Sequence, residues 1–253
     1  MKLTANGIAF AYDSEPVLKN VDIAIGESDV VGILGPNGSG KTTFIKCINR
    51  LLTPQQGSVM FDDQDILSMR STELSKIIGY VPQNGNMEIS YPTVYEIVMM
   101  GRRPHGSWKA NSNDDDIVWN AMEEMDVDHL STHKFNELSS GQTQRVLMAR
   151  AIAQEAKILL LDEPTSNLDI KYQIEVMNVV TDIAKTKKVG VCAIVHDLDL
   201  SMRYCNKVIL LKDGYVYAAG APIDVITPDN IREVYGVDIA VDPGYGRNHV
   251  VIL

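Results

Sequence analysis

The chain has 253 residues, with 23 lysines and arginines against 33 aspartates and glutamates, for a formal charge of −10. Hydrophobic residues make up 45% and charged residues 22%, a globular composition that excludes a disordered chain. The acidic balance argues against broad nucleic-acid binding, which needs surplus cations facing the phosphates. No run approaches the roughly 20 apolar residues that span a bilayer, and Met1 to Asn6 lack the apolar region of a secretory signal. Cys47, Cys192 and Cys205 have no metal-ligand spacing, so an intracellular protein with structural thiols is expected.

Short β segments are expected at Ile8 to Tyr12, Val21 to Ile25 and Val30 to Leu34, with Gly26-Glu27 as a break. A glycine-rich loop follows at 35–43, then a helix from Thr42 to Leu52 that stops before Pro54. Further strands are predicted at Ser58 to Phe61 and at Ile77 to Val81, the second running into Pro82-Gln83. From Asn84 to about Glu137 the strand signals fade. Thr93 and Glu96 have capping-box spacing, Gly101 to Asn113 reads as a polar connection, and Asp114-Asp115-Asp116 precedes a helix through Met125. The alternation then resumes: helix Gln142 to Lys157, strand Ile158 to Asp162, helix Lys171 to Lys187 and strand Val189 to Val195. A hairpin at Asp213-Gly214 and a helix from Asp229 to Tyr235 complete the pattern. Strands apolar on both faces that alternate with helices imply an α/β fold with a mainly parallel sheet. The expected organisation is one domain over 1–253, with an α/β core from 1–83 and 138–253 and a helical subdomain from 84–137.

Three stretches carry chemistry. Gly35-Pro36-Asn37-Gly38-Ser39-Gly40-Lys41-Thr42 fits G-x-x-x-x-G-K-[ST] between a predicted strand and helix. In that setting backbone N–H groups converge on phosphate oxygens, Lys41 reaches the β- and γ-phosphates, and the Thr42 hydroxyl can ligate Mg²⁺. Asp162-Glu163 follows an apolar strand, where Asp162 can hold Mg²⁺ and Glu163 can orient and deprotonate water. Leu138-Ser139-Ser140-Gly141-Gln142 offers a capping box between Ser139 and Gln142, and with its exposed N–H groups a second anion site.

In chain order, these motifs together with Gln83, Ser166-Asn167-Leu168-Asp169 and His196 make the sequence resemble an ABC-transporter ATPase subunit over nearly its whole length. The resemblance implies a P-loop core with an N-terminal antiparallel β portion, and ATP and Mg²⁺ as cofactors. It implies a head-to-tail dimer in which ATP lies between one subunit's loop, Gly35 to Thr43, and the partner's Ser139 to Gln142. Tyr12 matches the residue that stacks on adenine, Gln83 one that contacts Mg²⁺ or the attacking water, Asp169 one that joins the two sites, and His196 one that contacts the γ-phosphate. Ser140 stands where the family most often has glycine, which bears on the tightness of the ATP-bound dimer.

Tyr80-Val81-Pro82-Gln83, Thr93 to Val98 and Met100 to His105 are similar to the metal-chelate branch, which takes up ferric siderophores, haem or cobalamin. That branch implies an integral-membrane permease docked on the helical insert, with Arg102 and Arg103 either at that contact or on a solvated turn. It also implies an extracytoplasmic binding protein, and a chain peripheral to the cytoplasmic side of the membrane. Two other classes of protein share the P-loop. A soluble ATPase of the family usually carries a coiled-coil insert or tandem units, for which Lys41 to Ser139 has no room. A P-loop metabolite kinase would not need Ser139 to Gln142. His129 and His133 lack a third metal ligand and read as a polar face.

Overall fold

The computed structural model describes residues 1–83, 92–106, 112–166, 168–244 and 248–253. The expected insert boundary at Asn84, residues 107–111 of the expected connection, and Asn167 lie outside these. The chain begins with β1 (Lys2–Tyr12), β2 (Glu15–Gly26), β3 (Val30–Leu34), α1 (Lys41–Ile48), β4 (Gln56–Phe61), β5 (Gln64–Asp65), α2 (Ser71–Ile77) and β6 (Ile78–Val81). Helices α3 (Val94–Met99), α4 (Ser112–Glu124) and α5 (Ser140–Ala153) follow. The alternation continues through β7 (Ile158–Leu161), α6 (Ile170–Thr186), β8 (Gly190–Ile194), α7 (Leu198–Tyr204) and β9 (Lys207–Lys212). The C-terminal elements are β10 (Tyr215–Gly220), α8 (Pro222–Val225), α9 (Pro228–Tyr235), β11 (Ile239–Asp242) and β12 (His249–Ile252).

A six-stranded sheet runs β10-β9-β3-β8-β7-β6, parallel except for the β9–β10 hairpin. A four-stranded antiparallel sheet, β2-β1-β4-β5, packs beside it. Successive strand residues point to opposite faces, and here both faces are covered. Val31, Ile33, Ile158, Leu160, Cys192 and Ile194 join the core shared with α1 and the antiparallel sheet. Val30, Leu34, Leu159, Leu161, Val191 and Ala193 join the core under the helices. That double burial explains why these strands read as unbroken apolar runs.

Several boundaries differ from expectation for local reasons. Helix α1 ends at Ile48, because Arg50 turns into the left-handed region at φ +56° and its guanidinium donates to the carbonyls of Ile66 and Met69 at 3.0 and 2.6 Å. Helix α5 stops at Ala153, because Gln154 turns its amide onto the carbonyls of Ser75 and Ile78 and Glu155 adopts φ +50°. The expected connection from Gly101 begins inside a 3₁₀ segment, Met100–His105, that lies against α5. A Cβ at Gly101 would sit 2.3 Å from the Arg150 carbonyl oxygen, so only glycine permits this approach. Asp114 and Asp115 lie within the first turn of α4. The Thr93–Glu96 capping box forms as expected.

Arg102 corrects the sequence reading. It is neither a solvated cation nor available to a partner, being 5% exposed. Its Nε donates to Asp114 at 2.8 Å, and one terminal nitrogen donates to both the Ala153 carbonyl and Glu155 at 2.7 Å. The arginine ties the 3₁₀ segment to α4 and to the end of α5.

Candidate nucleotide site

Strands β3, β8, β7 and β6 are neighbours and parallel, so their carboxyl ends share one edge of the sheet, where open α/β sheets place their ligands. The glycine-rich loop leaves β3, Gln83 follows β6, Asp162-Glu163 follows β7 and His196 follows β8. Ladder bonds continue past the strand ends, from the Asp162 N–H to Val81 at 2.9 Å and from the Val195 N–H to Ile33 at 3.2 Å. Residues far apart in sequence are thereby fixed on rigid backbone. The cleft they form has a volume of about 740 Å³ and is lined by Asn37, Gly38, Gly40, Lys41, Thr42 and Thr43 of the loop and helix start, together with Val17, Gln83, Glu163 and His196.

Gly40 caps α1 at φ +99°, and a Cβ there would meet Leu18 Cδ2 at 2.8 Å and the Val17 carbonyl at 3.0 Å. This glycine lets the loop enter the helix while resting on β2, which leaves the amino end of α1 facing the cleft. Lys41 is 6% exposed, and its Nζ donates to the carbonyls of Gly35 and Pro36 at 2.7 and 2.9 Å. Burial lowers the Lys41 pKa, while the charges of Glu163 and Asp162 act to raise it. Lys41→Ala removes the only ammonium in the cleft wall among the described residues and is expected to weaken ATP binding more than tenfold, read by calorimetric titration. Unchanged affinity would contradict the phosphate role.

Thr42 Oγ1 donates to Asp162 Oδ1 at 3.0 Å, and the Tyr80 hydroxyl lies 3.4 Å from Oδ2. Asp162 is 2% exposed. Burial pushes its pKa up and the Glu163 charge adds to this, while the Thr42 and Tyr80 hydrogen bonds oppose it. A buried carboxylate whose charge is unfavourable gains from a cation. The donor set of the Asp162 carboxylate, Thr42 hydroxyl and Gln83 amide oxygen is the hard oxygen chemistry that suits Mg²⁺.

Glu163 sits at φ +55°, a region that non-glycine residues enter rarely and often at functional sites. Ser166 holds its carbonyl through the backbone N–H at 3.1 Å and Oγ at 2.9 Å. The turned backbone aims the carboxylate between two neighbours. Gln83 Nε2 donates to Oε2 at 2.6 Å, and His196 Nε2 lies 2.6 Å from Oε1.

Other expected site residues lie elsewhere. Ser139 caps α5, accepting from the Gln142 N–H at 3.3 Å, while its own N–H donates to Gln142 Oε1 at 2.9 Å. Ser140 is exposed in the first turn and leaves this cap intact. A Cβ on Gly141 would approach Leu168 at 3.2 Å. Ser139 to Gln142 do not line the cleft that holds Lys41. Asp169 caps α6, accepting from the Tyr172 N–H at 3.1 Å. Tyr12 is 47% exposed, packs edge-on against Phe10 at 4.9 Å, and is outside the cleft wall. Ser39 is buried beneath the loop. Sequence reasoning missed Val17 in the wall and the Tyr80 contact with Asp162. The proximity of Tyr80 to Gln83 was the one available signal for the latter.

Fold and site together define a P-loop nucleoside triphosphatase. The family model described as "ABC transporter" matches residues 18–166. An uncharacterized ABC transporter ATP-binding protein of Methanocaldococcus jannaschii is 43% identical over 96% of this chain and 94% of its own. The chain belongs to the ABC transporter family and is an ATP-hydrolysing subunit. A cobalamin import ATP-binding protein of Halobacterium salinarum is 39% identical over 97% of this chain, which spans 62% of that relative's length. The ferric enterobactin transport ATP-binding protein of Escherichia coli is 34% identical over 100% of this chain and 94% of its own. Among solved structures, an ABC transporter assigned to the metal-chelate type, in an inward-facing conformation, superposes with a TM-score of 0.84 at 28% identity, covering 99% of this chain and 97% of that one. A dimeric ATP-binding cassette bound to ADP and Pi superposes at 0.78 and 28% identity, covering 87% and 98%.

Proposed function

We propose that this chain powers a membrane importer of metal chelates, of the ferric-siderophore, haem or cobalamin class. The observation that carries the mechanism is the separation of Ser139 to Gln142 from the cleft around Lys41. One chain presents half of each site, so a head-to-tail pair is needed to bring the capped α5 end of one copy to the phosphates held by the other. The dimeric cassette among the structural relatives supports this reading. The relatives that import cobalamin and transport ferric enterobactin support the cargo class.

In this mechanism Lys41 and the amino end of α1 neutralise phosphate charge, and Thr42, Gln83 and Asp162 would hold Mg²⁺, which would supply further neutralisation. Glu163 orients and deprotonates water, His196 meets the γ-phosphate, Tyr12 stacks on adenine and Asp169 links the two sites. The helical segment 84–137 docks on the permease at the cytoplasmic membrane face, and a binding protein delivers cargo outside. No helix among the described residues is long and apolar enough to cross a membrane; in this reading the permease supplies the spanning part. Affinity purification from the native membrane should recover a permease together with this chain. Recovery of the chain alone, under conditions that keep a known importer intact, would count against the reading.

A further inference from the structure

The Gly35 amide is the first N–H beyond the β3 ladder, whose last paired residue is Leu34, opposite Leu210. At φ +146° the residue lies in glycine's own region, and a Cβ would stand 2.4 Å from the Leu211 carbonyl oxygen. Packed this closely, the amide needs a protein partner, and a buried donor left unpaired is costly. Its partner comes from 200 residues away: the Gly35 N–H donates to the Tyr235 hydroxyl at 2.7 Å.

Tyr235 is the last residue of α9, which is itself firmly placed. Ile231 and Val234 are buried, and Gly236 closes the helix in the left-handed region with its N–H on the Arg232 carbonyl at 2.9 Å. Lys212, next to Leu211 at the end of β9, donates to the Glu233 carbonyl and side chain at 2.9 and 2.5 Å. Burial raises the Tyr235 pKa, which keeps the hydroxyl neutral. The end of β9, the start of the P-loop and the end of α9 therefore form one braced corner.

We infer that Tyr235 is a positioning residue for nucleotide binding, its hydroxyl holding the Leu34–Gly35 peptide in the shape from which the P-loop cradles phosphate. The carbonyl of that same Gly35 accepts from Lys41, so the first loop residue is held at both polar groups. Without the hydroxyl, the empty loop can turn the Gly35 amide toward water. Nucleotide must then reverse that relaxation, which appears as lost affinity. The chemical step depends on Glu163, Gln83 and His196 at other strand ends and is not expected to change.

The inference rests on the P-loop as the ATP site and is independent of the cargo. Tyr235→Phe should weaken ATP binding by about tenfold in Mg²⁺-free calorimetry, raise KM to match, and shift kcat by less than about twofold. Val234→Ala, which loosens α9 without touching the loop, should lower the melting temperature and leave ATP affinity intact. Equal ATP affinity for wild type and Tyr235→Phe would overturn the inference, as would an equal loss in Val234→Ala. If Tyr235→Phe does not fold, Tyr235→Leu, which removes the hydroxyl without adding volume, must show the same loss of affinity. Failure of the wild-type chain to bind ATP would instead overturn the assignment of the site itself.

Discussion

Glu163→Gln should lower steady-state phosphate release by about 10²–10⁴-fold, the usual contribution of a positioned general base, while ATP still binds. The glutamine keeps the length of the side chain and can still meet Gln83 and His196, which flank Glu163 at 2.6 Å. It loses the charge that draws a proton from water. Since hydrolysis lets the proposed dimer open, the variant should accumulate as an ATP-loaded dimer on size-exclusion chromatography. Ordinary turnover would remove Glu163 from the role of base and leave His196 as the group to test next.

The second large effect concerns stability. Removing the carboxylate in Asp114→Ala should cost about 3 kcal/mol, the low end of the range for breaking a buried ion pair, because Arg102 keeps Glu155 and the Ala153 carbonyl. Both side chains of the Arg102–Asp114 pair are only 6% exposed, so water cannot replace the lost partner. Glu155, the other carboxylate on Arg102, is 54% exposed, and Glu155→Ala should cost no more than about 1 kcal/mol. Denaturant titration of the two variants measures the contrast. Equal losses would mean that burial does not govern this cluster. Because the pair joins the 3₁₀ segment to α4 and α5, the damage should be greatest in the helical part of the fold, which hydrogen exchange can resolve.

The sequence disclosed the site better than the scaffold around it, for a physical reason. Each chemical motif is local: Gly35 to Thr42 needs only a strand before it and a helix after, and Asp162-Glu163 only a strand end. Parallel pairing of β3, β8, β7 and β6 then carries them to one edge. The capping boxes at Thr93 and Ser139 were legible for the same reason, since three-residue spacing encodes both bonds. Tertiary overrides were hidden. Arg102 looks like a surface cation until α4 folds Asp114 over it. The end of α5 depends on Gln154 reaching the α2–β6 junction, and α2 itself, a short helix at 71–77, went unanticipated. Tyr235 lies in a helix that was expected, yet its hydrogen bond spans nearly the whole chain.

The bonds from Lys41 to the carbonyls of Gly35 and Pro36 have a kinetic consequence. The ammonium is internally solvated, so phosphate arrives by ligand exchange in which two dipoles are displaced by an anion. Much of the cation's field is spent on its own loop until that exchange occurs. On a surface of net charge −10 the approach of anionic ATP is therefore opposed at long range, so the association rate should rise with ionic strength while the dissociation rate changes little.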